Sequence, residues 1–310
     1  MKMSFLCFQL ALLFYVFSAS DARLFSRVNC LVSSWTSWSE PNEYGQRIRT
    51  CTILRMPSGG GFPCPHIREV KGVKPSFTLI LQEFTLSFVE DYDPISDDQI
   101  AKVRDIVFIL DSSGSIGLTK FNKAKADAKS LFGTLCPFDK TFDMDYNNPY
   151  QHQQLAMLTY STTIEENFFF NTYSKTADVL QAISQATYQG LMTNTAGAFK
   201  KARNMFQTSR GARDSTKVKR EVLIVTDGLS NTGGDAVAAA KELSKVADVY
   251  GLMIGKFSAA GMTELTDYVS TPASKHLFNL DDFESLTLLV EALEINKRLH
   301  PDWCASLDQD

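Results

Sequence analysis

The stretch "DIVFILDSSGSIG", Asp105 to Gly117, decides how the rest of the chain is read. An apolar run, Ile106 to Leu110, ends in a carboxylate, then in three serines and two glycines. Continuous apolar residues suit a strand covered on both faces. Oxygens and small residues at its end suit a loop that faces a ligand. A phosphate, a catalytic centre and a metal ion are the three candidates.

The surrounding pattern gives the fold class. Apolar residues at helical spacing follow over 119–135, including Phe121, Ala124, Ala128, Leu131 and Phe132. Residues 154–161 and 167–173 read as strands, and 177–186 and 196–206 as helices. A second buried strand at 220–226 carries Val222-Leu-Ile-Val225, and an alanine-rich helix follows at 236–246. A strand at 249–254, a helix at 262–269, a strand at 276–280 and a helix at 283–293 complete the series. Such alternation predicts an α/β fold: a doubly wound, mostly parallel sheet with helices on both faces. Ligands in such sheets bind beyond the carboxyl ends of the strands.

Two of the three candidates lack their residues. A dinucleotide loop needs G-x-G-x-x-G, and this loop has only Gly114 and Gly117. A nucleophile elbow needs G-x-S-x-G, a frame that Ser113 and Ser115 do not occupy. None of the four histidines, His66, His152, His276 and His300, stands beside a second strand-end carboxylate. Catalysis is therefore not expected. A hard divalent cation takes about six oxygens. Asp111, Ser113 and Ser115, two apart on one loop, can offer three of them. Similar chemistry recurs in "MTNTAGAF", with Thr193 before a helix, and in "LIVTDG", with Asp227 after a buried strand. Asp111 and Asp227 on neighbouring strand ends would repel each other without a cation between them.

The order Asp111-x-Ser113-x-Ser115, Thr193 and Asp227 resembles the metal-ion-dependent adhesion site of von Willebrand factor type A domains, also called integrin I domains. The resemblance implies that Ser113, Ser115 and Thr193 coordinate Mg2+, with Mn2+ or Ca2+ as substitutes. It implies that Asp111 and Asp227 hold the ion's waters, and that one coordination position awaits a ligand's Asp or Glu. The family often has two glycines before the threonine; here Gly190-Leu191-Met192 intervenes. A degenerate loop kept only for folding is the bland alternative.

The ends of the chain add context. Lys2, the apolar stretch 5–17 and the small residues Ser18-Ala19-Ser20 and Ala22 read as a signal peptide over 1–22. The expectation is a secreted protein without membrane anchor. A net charge of −4 argues against nucleic-acid binding, and the basic run Lys217-Val-Lys219-Arg220 reads as a solvated approach to a strand. Residues 23–72 hold Trp35, Trp38, Arg47, Arg49, Cys30, Cys51 and Cys64, with "PSGGGFPCP" at 57–65. A Trp–Arg cation–π stack and disulfides would help so small a segment fold. The segment resembles a thrombospondin type 1 repeat, without the cysteine pair that normally follows the tryptophans. A small disulfide-stabilised β module is expected there.

Cys64 should bridge Cys30 or Cys51. Without Cys7 of the leader, five cysteines remain, so one stays free or pairs with another chain. The resemblance to the A domain sets its first and last helices side by side, which implies a Cys136–Cys304 disulfide. Residues 73–103 read as a linker with extra strands, since Phe77 to Phe88 alternates apolar and polar residues. The A domain takes 104–299, and 300–310 form a tail. The functional expectation is an extracellular adhesion or matrix protein whose partner presents an Asp or Glu, such as a collagen-like matrix protein. The alternative is a structural component of an extracellular matrix or biomineral composite that does not use the metal site for binding.

Overall fold

A computed structural model describes residues 27–40, 47–58, 62, 64, 67–71, 76–89, 103–135, 153–255 and 259–299. Two compact units emerge: residues 1–40 with 47–69, and residues 41–46 with 70–310. The 1–22 leader, the Cys136–Cys304 pairing, His66, His152 and His300 lie outside the described residues.

The larger unit begins with helix α1 (Phe77–Phe84), then strand β1 (Arg104–Asp111), α2 (Leu118–Thr134), β2 (Gln154–Tyr160) and β3 (Ile164–Phe168). Helices α3 (Thr176–Gln185) and α4 (Thr195–Met205) lead to β4 (Lys219–Thr226), α5 (Ala236–Leu243) and β5 (Asp248–Ile254). Then come α6 (Ala259–Thr266), α7 (Ala273–His276), β6 (Leu277–Leu280) and α8 (Phe283–Leu299). The six strands lie in the order β6-β5-β4-β1-β2-β3. All neighbours are parallel except β3, antiparallel on the edge beside β2.

Every residue of β1 is buried, because helices cover both faces. Side chains alternate across a strand. Ile106, Phe108 and Leu110 therefore join one core with residues of α2, α3 and α8. Val107 and Ile109 join the other, with α4 and α5. The chain's winding reverses between β1 and β4, and in open α/β sheets that reversal opens a crevice at the carboxyl ends. At the opposite end, buried ion pairs hold the sheet: Arg104 to Glu221 at 3.0 Å and Arg213 to Asp105 at 2.7 Å. Of the basic run, Lys219 bonds Glu221 at 3.0 Å, and Arg220 donates to the Arg213 carbonyl at 2.5 Å.

Two expectations need correction. The stretch from Phe77 to Phe88 is helical, α1 followed by a π turn over Thr85–Val89. Its apolar residues satisfy both a two-residue and a four-residue repeat. The helix buries Ile80, Phe84 and Phe88 together and leaves Leu86, which a strand would place on the same face, 39% exposed. The Phe84 ring lies 5.2 Å from Phe88 and meets Phe278 of β6 edge-on at 5.0 Å. Ser76 caps the helix by accepting from the Leu79 N–H at 3.3 Å. The strand expected over 167–173 is instead β3, ending at Phe168. The Thr172 hydroxyl takes the Phe169 N–H at 2.9 Å and turns the chain away.

In the smaller unit Cys30 bonds Cys64, with Cα atoms 4.9 Å apart. Among the described residues Cys51 is free and buried. A bond to another chain through Cys51 would first require its exposure. Segment 36–39 runs beside 47–50, through Thr36 N to Thr50 O and Ser39 N to Ile48 O, both at 2.8 Å. This ladder brings the Arg49 guanidinium 5.0 Å from the Trp35 ring and 4.6 Å from Trp38. Arg47 joins neither contact.

The helical reading of α1 is testable by denaturant unfolding. Phe84→Ala should cost about 3–5 kcal/mol, while Leu86→Ala, at a residue 39% exposed that a strand would bury on the face of Phe84, should cost under about 1 kcal/mol. Equal losses would contradict the helix.

Candidate metal centre

The loop after β1 owes its shape to its neighbours. The Ser112 N–H extends the ladder by donating to Tyr160 O at 2.7 Å, and Ser112 O accepts from Gly190 N at 2.8 Å. Gly114 N donates to Leu191 O at 2.7 Å. A Cβ on Gly114 would meet Gly190 O at 3.2 Å. Glycine thus lets the 112–117 and 187–194 loops close on each other. Gly117, at φ 75°, turns the chain into α2, a conformation that favours glycine.

Four of the five expected ligands form one connected chain. Asp111 Oδ1 accepts from the Ser113 N–H at 2.8 Å. Ser113 Oγ lies 3.1 Å from Ser115 Oγ, and Ser115 Oγ donates to Asp227 Oδ1 at 2.7 Å. Thr193 is placed through its backbone. Its N–H donates to Asn231 Oδ1 at 2.8 Å, and its carbonyl accepts from the Asn231 N–H at 3.0 Å.

Electrostatics set this cluster apart. Burial, assisted by the Asp227 charge, pushes the Asp111 carboxyl up to about 6 against its hydrogen bonds from Thr226 and Ser113. Burial also raises Asp227, while Ser115 and Lys120 oppose the shift. Neither carboxylate has an ion-pair partner among the described residues. Two partly desolvated carboxylates without a cation are costly. Neutral hydroxyls between them match the oxygen donors that a hard divalent ion takes. No group of three or more His, Cys, Asp or Glu suited to a metal occurs among the described residues. A mixed hydroxyl–carboxylate site is consistent with that.

Residues beyond the motif complete the setting. Thr226 Oγ1 donates to Asp111 Oδ2 at 2.7 Å, and the buried Tyr160 hydroxyl donates to the same oxygen at 3.4 Å. Thr226 stands next to Asp227 in "LIVTDG", where the oxygens at the strand end already mark it. Tyr160 and Asn231 carry no such signal, because their roles depend on which loops become neighbours. Thr195, the second threonine of "TNT", is buried as the first residue of α4, while Asn194 caps that helix by accepting from Gly197 N at 2.8 Å. His276 is a satisfied core residue, its Nδ1 2.9 Å from Pro272 O.

Residues 105–292 match the von Willebrand factor type A domain, and the chain belongs to that family. It is 28% identical to Matrilin-2 of Mus musculus over 211 residues, covering 66% of this chain and 19% of that protein. It is 28% identical to Integrin alpha-1 of Gallus gallus over 254 residues, 78% of this chain and 84% of that sequence. Among solved structures, proximal thread matrix protein 1 from the mussel byssus superposes with a TM-score of 0.52 at 21% identity. The match covers 62% of this chain and 48% of that one, in a structure described as having a zinc-occupied MIDAS motif. At that identity the likeness is one of fold.

The raised Asp111 has a consequence with a definite sign. A carboxyl whose folded pKa exceeds its unfolded value makes the metal-free fold less stable as pH rises from about 4 to about 6. Asp111→Asn should therefore raise metal-free stability at pH 7 by about 1–3 kcal/mol. The same substitution should abolish any rise in melting temperature on adding Mg2+. Calorimetric scans with and without Mg2+ check both. Asn231→Ala should weaken the Mg2+ response about tenfold by releasing Thr193, and an unchanged response would free Asn231 of that role.

Proposed function

We propose that the chain is a secreted adhesion or matrix protein that binds a protein ligand through a divalent cation. The observation that carries this reading is the Asp111–Ser113–Ser115–Asp227 chain, whose two carboxylates form no ion pair among the described residues. Ser113, Ser115 and Thr193 would hold Mg2+, or Mn2+ or Ca2+ in its place, and Asp111 and Asp227 would hold its waters. Neutral hydroxyls leave such an ion electrophilic, so it would attract an Asp or Glu from a partner, such as a collagen-like matrix protein. No reaction is assigned to the site. Among the described residues no helix is long and apolar enough to cross a membrane.

The remaining assignments belong to the same reading. Residues 1–22 are the leader, and 104–299 form the A domain. The small unit is a reduced thrombospondin type 1-like module, supported by Arg49 lying against both indoles. Cys136 pairs with Cys304, leaving Cys51 as the odd thiol. A second reading is a structural component of an extracellular matrix or biomineral composite in which the metal site is not used for ligand binding; the fold likeness to a byssal thread matrix protein, described with a zinc-occupied MIDAS motif, is compatible with either.

Two measurements test these readings, and the second separates them. A metal at a hundred times its dissociation constant should stabilise the secreted protein by about 2.7 kcal/mol, and Asp227→Ala should remove that gain. Pull-down from matrix extract should recover partners in Mg2+ and lose them in EDTA. Equal recovery under both conditions would favour the structural reading.

A further inference from the structure

Two bulky apolar side chains stand in water beside the site: Leu191 is 59% and Met192 52% exposed. A single exposed apolar residue on a loop is ordinary. This pair differs because its backbone is fully engaged. Leu191 N donates to Ser161 Oγ at 2.9 Å, and Leu191 O accepts from Gly114 N at 2.7 Å. Met192 N donates to Thr162 Oγ1 at 3.1 Å, and Met192 O accepts from Ser161 Oγ at 2.9 Å. Gly114 lies between Ser113 and Ser115, and Thr193 follows Met192. The frame that presents the hydroxyls therefore also fixes the Leu191–Met192 pair.

The rest of the rim has a different character. Lys120 is exposed and acts electrostatically on Asp227. The edge beside Thr193 is apolar, and the edge beside Asp227 is basic. A carboxylate bound to an ion does not by itself discriminate among acidic partners, so selectivity must come from neighbouring contacts. Successive Cα atoms are about 3.8 Å apart. The residues on either side of a ligand's Glu are thus the nearest ones available to meet the Leu191–Met192 edge.

We infer that Leu191 and Met192 are specificity-determining residues, and that the partner is a protein segment whose acidic residue adjoins a bulky apolar one. The inference rests on the carboxylate-binding reading above and goes beyond it by naming the neighbour. The engaged backbone adds no loop-ordering cost on binding, the two side chains still lose rotamer freedom, and covering them removes apolar surface from water, which offsets that loss. The edge therefore favours Leu or Phe over Ser at the adjoining ligand position.

The test uses the full secreted chain and immobilised peptides of the forms Gly-Xaa-Glu-Gly and Gly-Glu-Xaa-Gly, with Xaa as Leu, Phe, Ser or Lys. In Mg2+, the Leu and Phe peptides of at least one form should bind about tenfold more tightly than the Ser peptide, and EDTA should remove all binding. The double variant Leu191→Ser with Met192→Ser should keep the Mg2+-induced thermal shift and bring the preference within about twofold. Equal binding of Leu, Phe and Ser peptides by the wild-type chain overturns the inference alone, as does a preference that survives the double substitution. Absence of Mg2+-dependent binding to every peptide overturns the carboxylate-binding reading and the inference with it.

Discussion

Two carboxylates, Asp111 and Asp227, are brought out of bulk water at one point with only hydroxyls between them. The arrangement is electrostatically unfavourable by itself. Burial and mutual repulsion raise Asp111 even though Ser113, Thr226 and Tyr160 all donate to it. A fold that maximised only its own stability would place an amide or an apolar side chain there. On the proposed reading the retained charge is the cost of a site that a cation would complete, and the surrounding structure would serve to hold it.

The sheet bears that cost. β1 is buried along its whole length and shares its side chains between two cores. Its carboxyl end is therefore a rigid platform, and Asp111 cannot swing into water to relieve its desolvation. β4 lies parallel beside it in register, Leu110 opposite Val225, which fixes where Thr226 and Asp227 emerge. The third contribution arrives on a loop rather than a strand. Gly114 and Gly190 let the two loops bond to each other, and Asn231 grips both polar groups of the Thr193 backbone. Strand register sets the carboxylates, and loop hydrogen bonds set the threonine.

This division explains what could be read from the sequence. The runs 106–110 and 222–225 could be recognised as strands because both faces are apolar and no other element needs such a run. The motif residues could be recognised because carboxylates and hydroxyls at strand ends have few other uses. The segment from Phe77 to Phe88 misled because its apolar residues fit two periods, and the choice depends on tertiary packing that buries Phe84 against Phe278 and leaves Leu86 exposed. The end of β3 depends on one hydroxyl, Thr172, which composition does not reveal. Asn231 and Tyr160 act across loops far apart in sequence, so nothing local to them signals their part. The Cys30–Cys64 choice was likewise set by how the small unit folds, not by spacing.

The central claim concerns the place of the cation, and anomalous scattering from crystals grown with Mn2+ locates it directly. The account predicts one manganese peak enclosed by the Ser113, Ser115 and Thr193 hydroxyls, with Asp111 and Asp227 about it. A peak elsewhere on the A domain, or an empty cluster at saturating Mn2+, would contradict it.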